Sequence, residues 1–167
     1  MKFFMLILMV LFVSCGTMLF VGQKYTVNGT MVEVLENGSK SRVEYNSYGY
    51  LLSKLEQERG MQMWSEERYL TAKSCLPVGG EIFVHITGPS IGSADTKYWE
   101  YVVQTMDGVE VMRKVGEERI PRYTASQYGV TWWNLDIISI KEKISGPFKV
   151  YVLDRLMNKR SGFIIYP

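Results

Sequence analysis

The chain opens with an uninterrupted apolar run and then breaks into short segments of alternating character. Residues 3–13 (FFMLILMVLFV) contain no polar side chain. From residue 24 onward, apolar and polar positions alternate over stretches of about four to eight residues, the period of a half-buried strand. Residues 24–28 and 31–35 flank Asn28-Gly29, a pair that tolerates the positive φ angles of a tight hairpin turn. Residues 42–45 follow a second Asn-Gly pair, Asn37-Gly38, and predict a further strand. The period changes over 49–60, where Leu51, Leu52 and Leu55 recur at helical spacing and Gly60 is placed to end the helix. This predicts one short α-helix.

After the helix the pattern returns to strands. Residues 68–74 predict a strand and 76–80 a loop. Residues 81–87 (EIFVHIT) are β-branched and aromatic. Residues 98–106 meet 109–115 across Asp107-Gly108, the strongest hairpin signal in the chain. Residues 132–140 form a long apolar segment, and 148–156 pairs with 161–166 around Met157-Asn158-Lys159. Short strands joined by Gly, Asn, Asp and Pro turns predict a mainly β fold, an antiparallel β-sandwich of Ig-like or C2-like type. No strand–helix alternation points to a parallel sheet. The domain spans 23–167.

Seventeen of the first 21 residues are apolar, so the 47% apolar content of the whole chain is concentrated at its start. Met1-Lys2 supplies a positive charge, 3–13 an apolar stretch, and Ser14-Cys15-Gly16 small residues after it. This is the layout of a secretory signal peptide. Leu11-Phe12-Val13-Ser14-Cys15 resembles the lipobox of bacterial lipoproteins, with Phe12 departing from the usual leucine or small aliphatic residue. The resemblance implies a signal peptide over 1–14, cleavage before Cys15, acylation of that cysteine and a tether over 15–22. Membrane lipid is then a partner through Cys15, and the body lies outside the cytoplasm, anchored to a cell or outer membrane. An apolar stretch reaching Val21 also fits an uncleaved anchor, and Gly16 fits cleavage and release. All three place the body outside the cytoplasm.

Charge excludes one class of partner. With residues 1–14 removed, 18 basic and 17 acidic residues remain, and the basic ones are interspersed with acidic ones. No concentrated basic face is expected, so nucleic acid is not a partner. Asn28-Gly29-Thr30 and Asn37-Gly38-Ser39 match the N-glycosylation sequon, but both read better as turns. Acylation of Cys15 leaves Cys75 as a lone thiol, which is expected to be a small buried hydrophobe.

Catalytic constellations are thin. Gly88-Pro89-Ser90-Ile91-Gly92 fits G-x-S-x-G, yet the only histidine, His85, precedes the serine and no base follows it. His85 is expected in a strand, hydrogen-bonded at a sheet edge. A Cys75–His85 pair needs proximity and an orienting third group. One His and one Cys are too few for zinc, and no aspartate-rich calcium loop is present. Glu56/Glu58, Glu66/Glu67 and Glu117/Glu118 lie in polar stretches and read as solvated surface. No cofactor is implied, and the body is expected to be non-enzymatic. The aromatic residues offer more. Trp132 and Trp133 are adjacent on a predicted strand, so their rings point to opposite faces. One is expected to pack the core and one to face solvent, with Tyr123, Tyr128 and Tyr101 extending a surface for a protein or glycan. The functional expectation is a binding or envelope-interaction module. A structural accessory subunit of an envelope complex or a hydrolase are the alternatives.

Overall fold

β1 (Lys24–Val27) and β2 (Thr30–Asn37) meet at the predicted tight turn, where Asn28 and Gly29 take φ of 52° and 81°. The computed structural model describes residues 20–127 and 129–167; the expected signal peptide over 1–14, Cys15 and Tyr128 lie outside the described residues. β3 (Ser41–Asn46) leads into α1 (Tyr48–Gln62) and α2 (Glu66–Ser74). Then follow β4 (Glu81–Gly88), a one-turn α3 (Ile91–Ala94), a 3-10 turn (Thr96–Tyr98), β5 (Trp99–Thr105) and β6 (Glu110–Val115). β7 (Arg122–Ser126), β8 (Gly129–Ser139), β9 (Phe148–Asp154) and β10 (Lys159–Tyr166) complete the chain.

The strands form two antiparallel sheets, ordered β1-β2-β10-β9-β5-β6 and β3-β4-β8-β7. Strict alternation of burial along β4 and β9 turns one face of each sheet inward. Val34, Trp99, Tyr101, Val150 and Phe163 from the larger sheet and Val43, Ile82, Val84, Ile86 and Ile138 from the smaller form a single buried cluster. Tyr45 meets Phe148 across it edge-to-face, with ring centroids 5.4 Å apart. This is a β-sandwich, as the strand spacing predicts. Its six-plus-four arrangement carries a helical insertion between β3 and β4.

That insertion corrects two sequence expectations. Residues 68–74 are helical, not a strand. Ser65 caps α2 by accepting from the Arg68 N–H, Glu66 and Glu67 occupy the first turn and Lys73 the last, all favourable to the helix dipole. The segment has only one β-branched residue, so its strand propensity is low. Arg59 of α1 stacks over the Tyr69 ring at 4.4 Å and reaches Glu66 at 2.5 Å, which ties the two helices together. Gly60 does not stop α1. The helix runs to Gln62, and Met63 adopts the left-handed conformation (φ 49°), donating its N–H to the Arg59 carbonyl.

Three further expectations change. Asn37-Gly38 is not a tight hairpin turn, because Asn37 ends β2 and Gly38 has no positive φ. Glycine is required there by approach, since a Cβ would lie 2.5 Å from the Arg160 carbonyl oxygen. β7 was not expected as a strand. All its side chains are exposed, so no burial alternation marks it in the sequence. Third, a one-turn helix follows Ser90, in a stretch between the predicted strands 81–87 and 98–106 for which the sequence pattern predicts no element. Ser90 and Ser93 form a reciprocal capping box that starts it.

Strand register defines two ends of the sandwich. At one end lie the β2–β3 connection, the β9–β10 turn and the pairs Asn37–Ser161, Trp99–Asp154 and Gly88–Trp132. The first described residues belong to the same half, because Gly22 N–H bonds the Val34 carbonyl. We call this the proximal end. At the distal end lie Asn46, Glu81, the Asn28-Gly29 turn and the β5–β6 turn around Asp107-Gly108.

A left-handed conformation is costly for Met63, which is almost fully exposed and makes no core contact. Met63→Gly is expected to stabilise the fold by about 1 kcal/mol. Urea unfolding checks this, and an unchanged or lower midpoint contradicts it.

Candidate functional site

β8 is longer than its neighbour β4. The two pair from Glu81–Ser139 to Gly88–Trp132, beyond which residues 129–131 pair with β7 alone. The β7–β8 hairpin therefore runs past the proximal end of the smaller sheet. Among the described residues no strand lies beside its other edge, since β7 is the last strand in the order. A two-stranded ribbon unsupported by a core is marginal in water, so its side-chain pairs must hold it.

At its root, where β8 still pairs with β4, the cross-strand pairs are aromatic and cationic. Tyr123 sits opposite Trp132, ring centroids 5.3 Å apart and tilted by 55°. On the other face Arg122 sits opposite Trp133, its guanidinium 5.5 Å from the ring centroid. Each contact contributes on the order of 0.5–1 kcal/mol. Thr124 opposes Thr131 and Ala125 opposes Val130. Trp132 and Trp133 do point to opposite faces. Both are half-buried, however, and neither belongs to the core cluster, so the division into one core and one solvent ring is not found. Trp132 lies on the core-facing side of β8, but the sheet has outrun the opposing sheet there. Tyr123 is 63% exposed.

Tyr101 does not extend this surface. It is fully buried on β5, in the opposite sheet. Alternation along β5 directs it into the core, where its hydroxyl faces the carboxylate of Asp136 on β8. Burial, then the Asp136 charge, holds the Tyr101 phenol well above its ordinary pKa, so it stays neutral. Sequence reasoning missed Asp136 altogether. It occupies an inward position between Asn134 and Ile138, and it is 1% exposed. Lys114 of β6 reaches across to it, Nζ to Oδ1 at 2.9 Å, and also donates to the Ile137 carbonyl at 2.9 Å. Tyr101 Oη and Asp136 Oδ2 complete no hydrogen bond among the described residues.

The 116–121 crossover that carries the chain from β6 to β7 is pinned beside this pair. Arg119 donates its N–H to Asp95 Oδ1 at 3.2 Å and its guanidinium to the Leu135 carbonyl at 3.2 Å. Asn134 Nδ2 donates to the Arg119 carbonyl at 3.1 Å, and Thr96 donates its hydroxyl to the Glu117 carbonyl. Lys97 bridges Glu118 at 2.6 Å and Asp95 at 3.3 Å. Burial pushes the Asp95 carboxyl up, but N–H donors from Lys97 and Arg119 and the Lys97 ammonium outweigh it, leaving it below the usual range. The Glu118 and then the Asp95 carboxylate raise the Lys97 ammonium. Beside this knot, Lys97, Tyr98, Arg155 and Leu156 line a shallow cavity of about 460 Å³.

The remaining candidates stay apart. Cys75 caps the end of α2 and is exposed, not buried as expected, because α2 lies outside the core cluster. His85 is not at a sheet edge; β4 is paired on both sides. Its Nε2 lies 3.4 Å from Glu44 Oε1 without hydrogen-bond geometry, opposite Arg42. Cys75 and His85 share no hydrogen bond among the described residues. Ser90 is engaged in capping α3. Glu56, Glu58, Glu66, Glu67, Glu117 and Glu118 are all exposed. No cluster of three metal-ligating side chains occurs among the described residues. No described helix is long and apolar enough to cross a membrane. No family model, curated protein or solved structure matches this chain.

Two outcomes follow for the knot. Lys114→Ala leaves Asp136 buried without its counter-charge and is expected to cost about 3 kcal/mol, whereas Lys114→Met with Asp136→Leu costs far less. Denaturant titration of both variants separates these cases. Asp95 has a lowered folded pKa, so its stabilisation is present above the unfolded value of about 3.9 and is lost as pH falls through the folded value. Asp95→Asn is expected to flatten the loss of stability below about pH 4, read from thermal midpoints across that range. An unchanged pH profile contradicts the assignment.

Proposed function

We propose that this chain is a membrane-anchored extracytoplasmic lipoprotein, held by an acylated Cys15, that acts as a binding module toward a component of the cell envelope. One observation carries the reading. The β7–β8 hairpin runs past the end of the smaller sheet, and Tyr123, Trp132, Trp133 and Arg122 gather at its root. Paired rings, Tyr123 among them well exposed, and a cation at the base of a projecting hairpin are the elements of a contact surface. The leader supports the location: a charged start, an apolar run and Ser14-Cys15.

A second reading, a structural accessory subunit, is favoured by the position of β7 as the last strand of its sheet among the described residues, which offers a backbone template for another strand. The two readings differ in what they need from the side chains. A binding surface depends on the rings, and edge pairing depends on the backbone.

Labelling cells with a radioactive fatty acid tests the anchor. The full chain is expected to take up label and Cys15→Ala to lose it; equal labelling of both refutes acylation at this site. A photoreactive residue at Thr124 is expected to cross-link an envelope component, while one at Val109 on the distal turn does not. Tyr123→Ala with Trp132→Ala is expected to reduce that adduct at least fivefold. An undiminished adduct shifts the reading to edge pairing, and equal cross-linking at both positions contradicts it.

A further inference from the structure

We infer that the proximal end of the sandwich, including the β7–β8 hairpin, docks on the headgroup layer of the membrane that holds the anchor. This rests on the anchored reading above and names the envelope component. Geometry supplies the first argument. Four residues separate Cys15 from Phe20, five Cα–Cα steps with a reach of at most about 18 Å. Phe20 and Val21 are themselves largely exposed at the proximal half. An acylated Cys15 therefore holds this end of the body within a tether's length of the bilayer.

The composition of that end is the second argument. Ile120, Val130, Leu156 and Met157 are about half exposed or more, and Tyr98 and Tyr123 join them. They come from four separate segments: the turn before β5, the 116–121 crossover, the β7–β8 hairpin and the β9–β10 turn. No single loop accounts for them; what they share is the end of the sandwich they occupy. Charge agrees in sign. Arg122, Arg155, Lys159 and Lys40 are exposed at this end without a carboxylate in ion-pair distance among the described residues, and they outnumber the exposed Glu117, which has no cation in ion-pair distance there either. Apolar tips beside unpaired cations fit an anionic interface, where rings and aliphatic chains sit at the acyl boundary and cations meet phosphate. The cavity beside Lys97, Tyr98, Arg155 and Leu156 opens at the same end, with Arg155 as its cation outside the Lys97–Glu118–Asp95 bridge.

The test uses the full acylated chain in vesicles of phosphatidylethanolamine and phosphatidylglycerol containing doxyl-labelled phosphatidylcholine. In a Cys75→Ser background, an environment-sensitive dye is placed at Met157→Cys, at Val130→Cys or at Val109→Cys on the distal turn. Quenching by the doxyl lipid is expected to be at least threefold stronger at 157 and 130 than at 109. Leu156→Asp with Met157→Asp, both on an exposed turn, is expected to halve quenching at 130 or reduce it further. Equal quenching at the two ends of an acylated chain overturns docking and leaves the anchor standing. So does weak quenching at 157 with a protein adduct at Thr124. Dye uptake by Cys15, with no fatty acid incorporated, refutes the anchor itself.

Discussion

Val84, Ile82 and Ile138 on one sheet and Val150, Phe163 and Trp99 on the other lose all contact with water only because the two sheets lie face to face. Each fully buried side chain of this size contributes roughly 1.5–3 kcal/mol. No disulfide is present among the described residues to share that task, and the helices lie outside the cluster. Every exposed feature is positioned by this contact. The β7–β8 hairpin projects because β8 is longer than the sheet it joins, and the proximal end exists because the strands in both sheets stop in register.

Closing a sandwich of unequal sheets leaves a corner to fill. The chain crosses from β6 to β7 over that corner, and the crossover brings backbone polar groups into a half-buried place. Asp95, Thr96, Arg119 and Asn134 satisfy those groups. Lys114 and Asp136 link the sheets at the same corner. A buried ion pair adds little net stability but is costly to break, so it restricts how the sheets sit relative to one another. That restriction holds the root of the hairpin, and Pro121, buried just before β7, sits at the same root. The projecting ribbon thus starts from a fixed base although its outer half rests on cross-strand pairs alone.

The free edges are not managed alike. On β3 the Tyr25 hydroxyl donates to the Val43 carbonyl at 2.6 Å and accepts from the Val43 N–H, which blunts that edge; burial pushes the phenol up to about 12. On β6, Arg113 is engaged by Glu110 and Glu100, and charges guard the strand. β7 carries one charge, Arg122, and among the described residues no tyrosine hydroxyl bonds its backbone as Tyr25 bonds that of β3. An unguarded edge beside exposed rings and an apolar end is a surface that solvent alone does not explain.

The strand pattern, the Asn28-Gly29 and Asp107-Gly108 turns and the sandwich class were legible along the chain because they rest on local periodicity and turn chemistry. So was the apolar leader, whose meaning is a matter of sequence. What pairing decided was less visible. Tyr101 and Tyr123 are the same residue type on strands, yet one is sealed in the core and the other stands in solvent, because burial depends on what lies across the sheet. Residues 68–74 became a helix through a cap at Ser65 and a stacked Arg59, contacts that a strand-length window does not weigh. Asp136 reads as an ordinary polar residue until Lys114, 22 residues away, is brought against it. Local order is written in neighbouring residues; which face is wet and which charge is buried follow from register over long separations, and only the folded chain fixes that register.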